Sequence, residues 1–514
     1  MGIKNHLTFP PKLHILFPQG RKAARPQGRK AARPQGRKEA FLFAKRKLSI
    51  DRIFAIICIS VGTVALSVTS VMLGFLLRLS APFHASGSGV VAINSGHVDG
   101  LFTTISAGHG GHSFAIIDNG DLYAWGRNNH GQLGLGIDDD DRLIPTHVSD
   151  GGRKYKAISA GGFHTLALAE DGDLYSWGKN DDGQLGLGDT TNRNSPKHVS
   201  DGGRKYKAIT AGRYNAFAIA ENGDLYSWGV DIWGELGIGS PISYPSLTPI
   251  FTTPQHVSDG GRKYKAIAAG TYHTLALAEN GDLYSWGNNL FGGLGLGHSG
   301  SPQNHCFPTP QHVSDGGRKY RAVAAGYHVS LAIAENGDLY SWGWNKEGKL
   351  GLGYYSDPGY EEDPQEDISI PQHVSDGGRK YKAVVAGFES IHAIAENGDL
   401  YSWGCNWWGE LGLGYISDER EHPNTPTHVS DGARKYKAIA KYGWHSIAIA
   451  EDGDFYIWGS NWEGELGLGD YDFRYFPTLL YVPPKFYITV TIDTISDDGG
   501  VSVENNENHL TSPT

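Results

Sequence analysis

From about residue 100 onward the chain is a succession of short apolar runs alternating with polar positions, without long amphipathic stretches. Between Tyr155 and Gly188 it reads Tyr-Lys-Ala-Ile-Ser-Ala-Gly, then His-Thr-Leu-Ala-Leu-Ala-Glu, then Asp-Leu-Tyr-Ser-Trp-Gly, then Gln-Leu-Gly-Leu-Gly. The period-two alternation of these runs predicts strands, and the Asp171-Gly172 pair between the second and third predicts a hairpin. Equivalent pairs stand at Asn119-Gly120, Asn222-Gly223, Asn280-Gly281, Asn336-Gly337, Asn397-Gly398 and Asp452-Gly453. A type I′ turn needs φ > 0 at both central residues, which Asn-Gly and Asp-Gly tolerate, so seven such hairpins are expected.

Each hairpin is followed by a Trp-Gly pair, at Trp125, Trp177, Trp228, Trp286, Trp342, Trp403 and Trp458. A recurrence of this length marks a repeat architecture. One small sheet of three or four strands cannot bury its faces alone, so successive sheets must stack, and radial closure leaves only short edges. The expected fold is all-β, a seven-bladed propeller. The Ala-rich runs suit inner strands, where blades converge. The seven tryptophans are expected to be structural wedges between blades, each contributing ~150–250 Å² of apolar area.

The set Ala-Gly-x-x-His-Thr-Leu-Ala-Leu, Gly-Asp-Leu-Tyr-Ser-Trp-Gly-x-Asn and Gly-x-Leu-Gly-Leu-Gly resembles the regulator of chromosome condensation (RCC1) repeat. The resemblance covers about Ile105 to Leu480 and implies a seven-bladed propeller. It does not fix an activity, because one fold hosts many functions.

Charge changes the picture at the N-terminus. The net charge is −10, yet residues 1–52 carry fourteen Lys and Arg against Glu39 and Asp51. The remainder is therefore strongly acidic, which argues against a nucleic-acid role for the repeats. The basic segment contains tandem copies of Pro-Gln-Gly-Arg-Lys-Ala-Ala-Arg and reads as a disordered tail or a translated DNA repeat. From Ile53 to Leu77 the chain runs 25 residues without a charge, long enough to span a ~30 Å hydrocarbon core as a helix. Lys45, Arg46, Lys47 and Arg52 precede it, and after Arg78 the next basic residue is Arg127. This asymmetry predicts a cytoplasmic N-terminus and an extracytoplasmic propeller. The alternative is a cleaved signal peptide, which secretes the repeats. The expected organisation is a basic tail over 1–52, a transmembrane helix over 53–78, a linker over 79–100, the propeller over 101–490 and a polar tail over 491–514. The chain has no Asn-x-Ser/Thr sequon, which fits an unglycosylated, bacterial protein.

No catalytic, cofactor or metal site is expected. The motif histidines His112, His164, His273 and His445 have Asn215, Val329 and Ser390 as counterparts, and a ring containing Val is no coordination sphere. They read instead as strand caps. Cys306 and Cys405 fall in different repeats, and their spacing suggests no zinc site. Arg153, Arg204, Arg262, Arg318, Arg379 and Arg434 recur in Ser-Asp-Gly-Gly/Ala-Arg turns, either a basic arc for a polyanion or solvated turns offset by their own Asp.

Differences between near-identical copies are more informative, since shared residues are scaffold. The two residues preceding Gly-x-Leu-Gly differ in every repeat and include Trp233, Phe291, Trp407, Trp408 and Trp462. Large aromatics dominate binding hot spots, so these five are the expected partner-binding residues. Long inserts over 240–253, 298–309 and 354–370 also vary. The expected function is a non-enzymatic, membrane-anchored or exported module that binds an unknown protein through one loop face. RCC1-like propellers include a secreted bacterial inhibitor of β-lactamases that works in this way. The resemblance also implies an alternative, guanine-nucleotide exchange on a small GTPase.

Overall fold

The computed structural model describes residues 102–137, 140–240, 248–300, 305–355, 367–417 and 422–480, together with four short strands nearer the termini. The predicted transmembrane segment, the basic tail and the linker lie outside the described residues. Among those described, no helix is long and apolar enough to cross a membrane. The chain divides into two compact units, residues 1–90 with 493–502, and 91–492 with 503–514. In the first, Thr494–Ile495 pairs with Val501–Ser502. The second holds the propeller and an antiparallel pair of Ala92–Gly96 with Tyr487–Thr491.

Seven four-stranded antiparallel sheets form the blades, each from contiguous chain. They span 102–147, 155–198, 206–256, 264–312, 320–373, 381–428 and 436–479. Blade 2 is representative, with strands Tyr155–Ala160, His164–Ala169, Leu174–Gly178 and Arg193–His198 from the axis outward. The second strand is buried along its whole length in every blade. It is therefore apolar on both sides, with a neighbouring blade against each. Along the axis runs a cavity of about 230 Å³, walled by inner-strand residues such as Ala160, Ala211, Ala269 and Ala325.

The hairpins form at the predicted positions but are not type I′. Gly120 has φ +81°, whereas Asn119 is not in the positive-φ region. Gly120 N donates to Ile117 O at 2.9 Å, and Ile117 N to Asp121 O at 3.1 Å. The loop is thus three residues long, a tight turn closed by a left-handed glycine. Asn119 contributes through its side chain, Oδ1 accepting from Asp121 N at 2.9 Å.

The seven tryptophans of the Trp-Gly pairs are fully buried. Each also ties its blade to the one before. Trp177 Nε1 donates to Gln132 O at 2.9 Å, Trp286 Nε1 to Glu235 O at 2.8 Å, and Trp458 Nε1 to Glu410 O at 3.0 Å. The ring closes through the same bond, from Trp125 Nε1 to Glu465 O at 2.9 Å. This contact explains Leu-Gly-Leu-Gly: a Cβ on Gly134, which has φ +74°, would stand 2.8 Å from the Trp177 nitrogen.

The motif histidines are buried, as strand caps would be, but only some find a side-chain partner. His445 Nε2 meets Ser113 Oγ at 2.9 Å and His273 Nε2 meets Ser330 Oγ at 2.8 Å. Both ring nitrogens of His112 and His164 lack a hydrogen-bond partner. Burial holds these two imidazoles down to about 3, neutral at any ordinary pH. Cys306 and Cys405 are free thiols.

Candidate protein-interaction face

The four strands of a blade leave two connections on each face of the ring. One face carries the Asn-Gly hairpins and the Ser-Asp-Gly-Gly-Arg-Lys turns between blades. There the recurring arginines are already engaged. Arg153, Arg204, Arg318, Arg379 and Arg434 each pair with the aspartate of their own turn at 2.7–3.0 Å. Each of the six arginines also lies over a tyrosine ring of the blade that its turn leads into, as Arg379 does 3.9 Å above Tyr401. The adjacent lysines pair across the blade boundary: Lys154 with Asp121 at 2.6 Å, Lys380 with Asp338 and Lys435 with Asp399 at 2.5 Å. A basic arc free for a polyanion is therefore absent here; the charges close the blades onto one another.

The opposite face is built from two kinds of loop. A short one joins the inner strand to the second, within Ala-Gly-x-x-His; a longer one follows Trp-Gly and leads to Gly-x-Leu-Gly. The long loop is stapled internally. Asn345 Oδ1 accepts from Leu350 N at 3.0 Å, and Asn180, Asn289, Asn406 and Asn461 do the same in their blades. The residue before Leu-Gly then fixes the variable pair. The Glu235 carboxylate accepts from Trp233 N at 2.6 Å and that of Glu410 from Trp408 N at 2.8 Å. Both carboxyls are buried, which pushes Glu235 up to about 8 and raises Glu410. Both hold the loop as hydrogen-bond acceptors.

The predicted residues Trp233, Phe291, Trp407, Trp408 and Trp462 all lie on these long loops, but they divide into two groups. Trp233, Phe291 and Trp407 reach across the blade boundary to the next short loop. Trp233 meets Tyr272 at 6.5 Å, Phe291 meets His328 at 4.7 Å, and Trp407 stacks on Trp444 at 6.3 Å between ring centres. Trp408 and Trp462 instead form a cluster with Phe473, at 4.9–5.7 Å. Trp407 and Trp462 are 39% and 62% exposed, and the other three are half-buried.

The short loops supply aromatics that the predicted set lacks. Tyr272 meets Tyr327 at 5.7 Å, Tyr327 stacks on Phe388 at 4.4 Å, and Phe388 meets Trp444 at 5.6 Å and His109 at 5.5 Å. From the long loop of blade 5, Trp344 stacks on Phe291 at 4.9 Å. Aromatic rings therefore run without a break from Trp233 on blade 3 to Trp407 and Trp444 at the boundary of blades 6 and 7. The signal was present in the sequence, for the two residues between Ala-Gly and His differ among repeats as freely as the pair before Gly-x-Leu-Gly. Charged groups on this face are mostly paired, as in Lys349 with Glu389 at 3.2 Å and Arg127 with Glu463 at 3.1 Å. No group of His, Cys, Asp or Glu among the described residues could hold a metal ion.

The family model described as the RCC1-like domain matches residues 247–495. Those for the regulator of chromosome condensation (RCC1) repeat match 119–168 and 171–219, and 102–132 and 155–184. The chain is 32% identical to the ultraviolet-B receptor UVR8 of Arabidopsis thaliana, over 73% of its own length and 81% of the receptor's. It is 31% identical to the human E3 ubiquitin-protein ligase HERC2 over 68% of its length, but this spans 7% of that protein. Among solved structures it resembles Prp20p from Saccharomyces cerevisiae, described with its binding to Gsp1p and histones. That match has a TM-score of 0.60 at 26% identity and covers 70% of this chain and 86% of Prp20p. None of the three is bacterial. With its seven contiguous blades, their recurring tryptophans and a match at 32% identity over 81% of a curated relative, the chain belongs to the RCC1 repeat family.

Proposed function

We propose that this protein is a non-enzymatic interaction module that captures a partner protein through the face carrying the Trp-Gly loops. The observation that carries this reading is the contrast in engagement. Arg and Tyr on one face are tied into ion pairs and ring contacts, whereas the other presents an unbroken, half-exposed aromatic surface. Exposed aromatics joined into one patch are how proteins mark an interface. The predicted partner-binding residues Trp233, Phe291, Trp407, Trp408 and Trp462 remain the proposed anchors, to which Tyr272, Tyr327, Phe388 and Trp444 are added. The charge-free run from Ile53 to Leu77 and its basic flank support a single membrane anchor, with the propeller outside the cytoplasm. Under this topology a cytosolic small GTPase, the partner of the exchange-factor alternative, cannot reach the face.

Two measurements test the reading. Added protease should cleave the propeller on intact cells; protection would sink the exported topology and revive the exchange factor. Replacing Trp233, Trp407, Trp408 and Trp462 by Ala should abolish partner capture while the melting temperature stays near that of the parent. A collapse of the melting temperature would reassign the four to packing.

A further inference from the structure

The centre of the aromatic face holds a charge that no carboxylate among the described residues pairs with. Arg213 is the first variable residue of the short loop in blade 3, where the other copies carry His109, Gly162, Thr271, Tyr327, Phe388 and Gly443. It is half-buried, and its guanidinium lies 5.1 Å from the Tyr214 ring centre. Among the described residues it makes no ion pair with a carboxylate. Its neighbours place it at the axis. Burial pushes the Tyr272, Tyr327 and Tyr442 phenols up and the His109 imidazole down to about 4, and the Arg213 charge acts on all four. These groups come from blades 4, 5, 7 and 1, and Arg213 itself follows the inner strand Tyr206–Ala211, whose Ala211 walls the axial cavity together with Tyr442, so the loop stands at the mouth of the channel.

The surroundings strengthen the case. Rings form a collar at this mouth, with Tyr327 on Phe388, Phe388 near His109, and His109 5.9 Å from Tyr442. Tyr442 occupies the slot that is Gly in the other six blades, Gly108, Gly161, Gly212, Gly270, Gly326 and Gly387. Its hydroxyl is buried without a hydrogen-bond partner. Carboxylates of this face are committed elsewhere: Glu389 to Lys349, Glu463 to Arg127, and Glu235 to the backbone N–H of Trp233. A half-buried cation in an apolar collar loses hydration without gaining a counter-charge, an arrangement that favours an incoming anion.

We infer that Arg213 is the central anchor of the interface and receives an acidic side chain of the partner protein, flanked by an apolar residue that lies on Phe388, Trp407 and Trp444. This rests on the interaction-module reading and specifies the partner's chemistry. A carboxylate presented on a peptide meets both a guanidinium fork and an aromatic floor, whereas a phosphate surface would find the other two cations engaged, Lys349 beside Tyr327 with Glu389 and the buried Lys441 with the Ser446 hydroxyl. Arg and aromatic anchors surrounded by an occluding rim are the usual energetic centre of a protein interface, and a charge-assisted pair there is stronger for being shielded from water.

The test is selection of a random dodecapeptide display library on the full-length protein. Selected peptides should share an Asp or Glu beside an aromatic or aliphatic residue. Such a peptide should bind R213Q about tenfold more weakly than the parent, R213K between the two, and its own Asp→Asn or Glu→Gln form should lose the same factor on the parent and nothing further on R213Q. Among the described residues the Arg213 side chain makes no hydrogen bond, so the melting temperature of R213Q should match the parent's. Peptides without an acidic residue, equal binding to R213Q, or no selected peptide at all would overturn the inference. So would saturable binding of free 3-phenylpropionate with no peptide selected, since that would make the collar a small-molecule site. Peptides lost on W407A and W462A but indifferent to R213Q would overturn the role of Arg213 and leave the loop-face reading intact. Peptides indifferent to all three variants would remove the loop-face reading itself.

Discussion

The two faces of this propeller are made by the same repeats, yet they have opposite chemical accounts. On the hairpin face, Asp376, Arg379 and Tyr381 form a closed set: the guanidinium pairs with the aspartate at 3.0 Å, and the tyrosine hydroxyl donates to the same carboxylate. Blades 2, 3, 5 and 7 repeat that set almost unchanged. On the loop face, slots that correspond in the fold hold His109, Arg213, Tyr327 and Phe388. Repetition therefore marks where the blades hold one another. Divergence marks where the molecule was free to be shaped by something outside it.

The comparison breaks most severely at the tryptophans. Trp458 and Trp462 are four residues apart, one fully buried and the other 62% exposed. Trp458→Ala would remove a core indole and leave the Glu410 carbonyl with the Ser446 hydroxyl as its remaining donor. Its expected cost is ~3–5 kcal/mol, read as a fall in the urea midpoint at unchanged slope. A cost below about 1 kcal/mol would mean that the wedges are redundant and that the scaffold reading of the repeated residues is wrong.

A smaller effect is expected on the hairpin face. Asp376→Ala leaves Arg379 without its counter-ion and the Tyr381 hydroxyl without its acceptor. The expected loss is about 1–3 kcal/mol, with partner binding unchanged. Asp315→Ala, the counterpart in the preceding blade boundary, should give the same value within error. Two unequal losses would show that equal sequence does not confer equal role, which would weaken every inference from copy to copy. Loss of binding from either would move the partner to this face.

Seven blades, their order and their buried tryptophans were legible because each rests on local chemistry repeated seven times. The side of the ring facing a partner was legible only in part. Trp233, Phe291 and Trp407 could be picked out because they differ from their counterparts, but their contacts are with Tyr272, His328 and Trp444 of the following blade. Those pairs lie 37–39 residues apart in the chain and are joined by closure of the ring, which no local pattern encodes. Arg213 was invisible for the same reason: beside Tyr214 it is one surface residue, and only the convergence of blades 1, 4, 5 and 7 makes it central. The hairpin type was misread at Asn119-Gly120 because a three-residue loop and a two-residue loop share the same dipeptide. The choice between them is made by the carbonyl of Ile117, which reaches Gly120 N.

The least costly change sharpens the contrast best. Trp462 touches Trp408 and Phe473 by ring edges at 5.7 and 4.9 Å, but more than half of its surface is already in water. Trp462→Ala therefore opens no enclosed cavity and strands no buried polar group, the two mechanisms that make substitutions severe. Its expected cost is below about 1 kcal/mol, the scale of an exposed aromatic pair, against several times that for Trp458 four residues earlier. If the two variants instead destabilise equally, the exposed indole is holding the last blade in place, and the aromatic cluster with Phe473 belongs to ring closure. If Trp462→Ala leaves stability intact and weakens capture of the partner, then the same residue type in the same blade has been divided between holding the fold and using it, according to whether it stands in the strand Phe455–Gly459 or in the loop that follows.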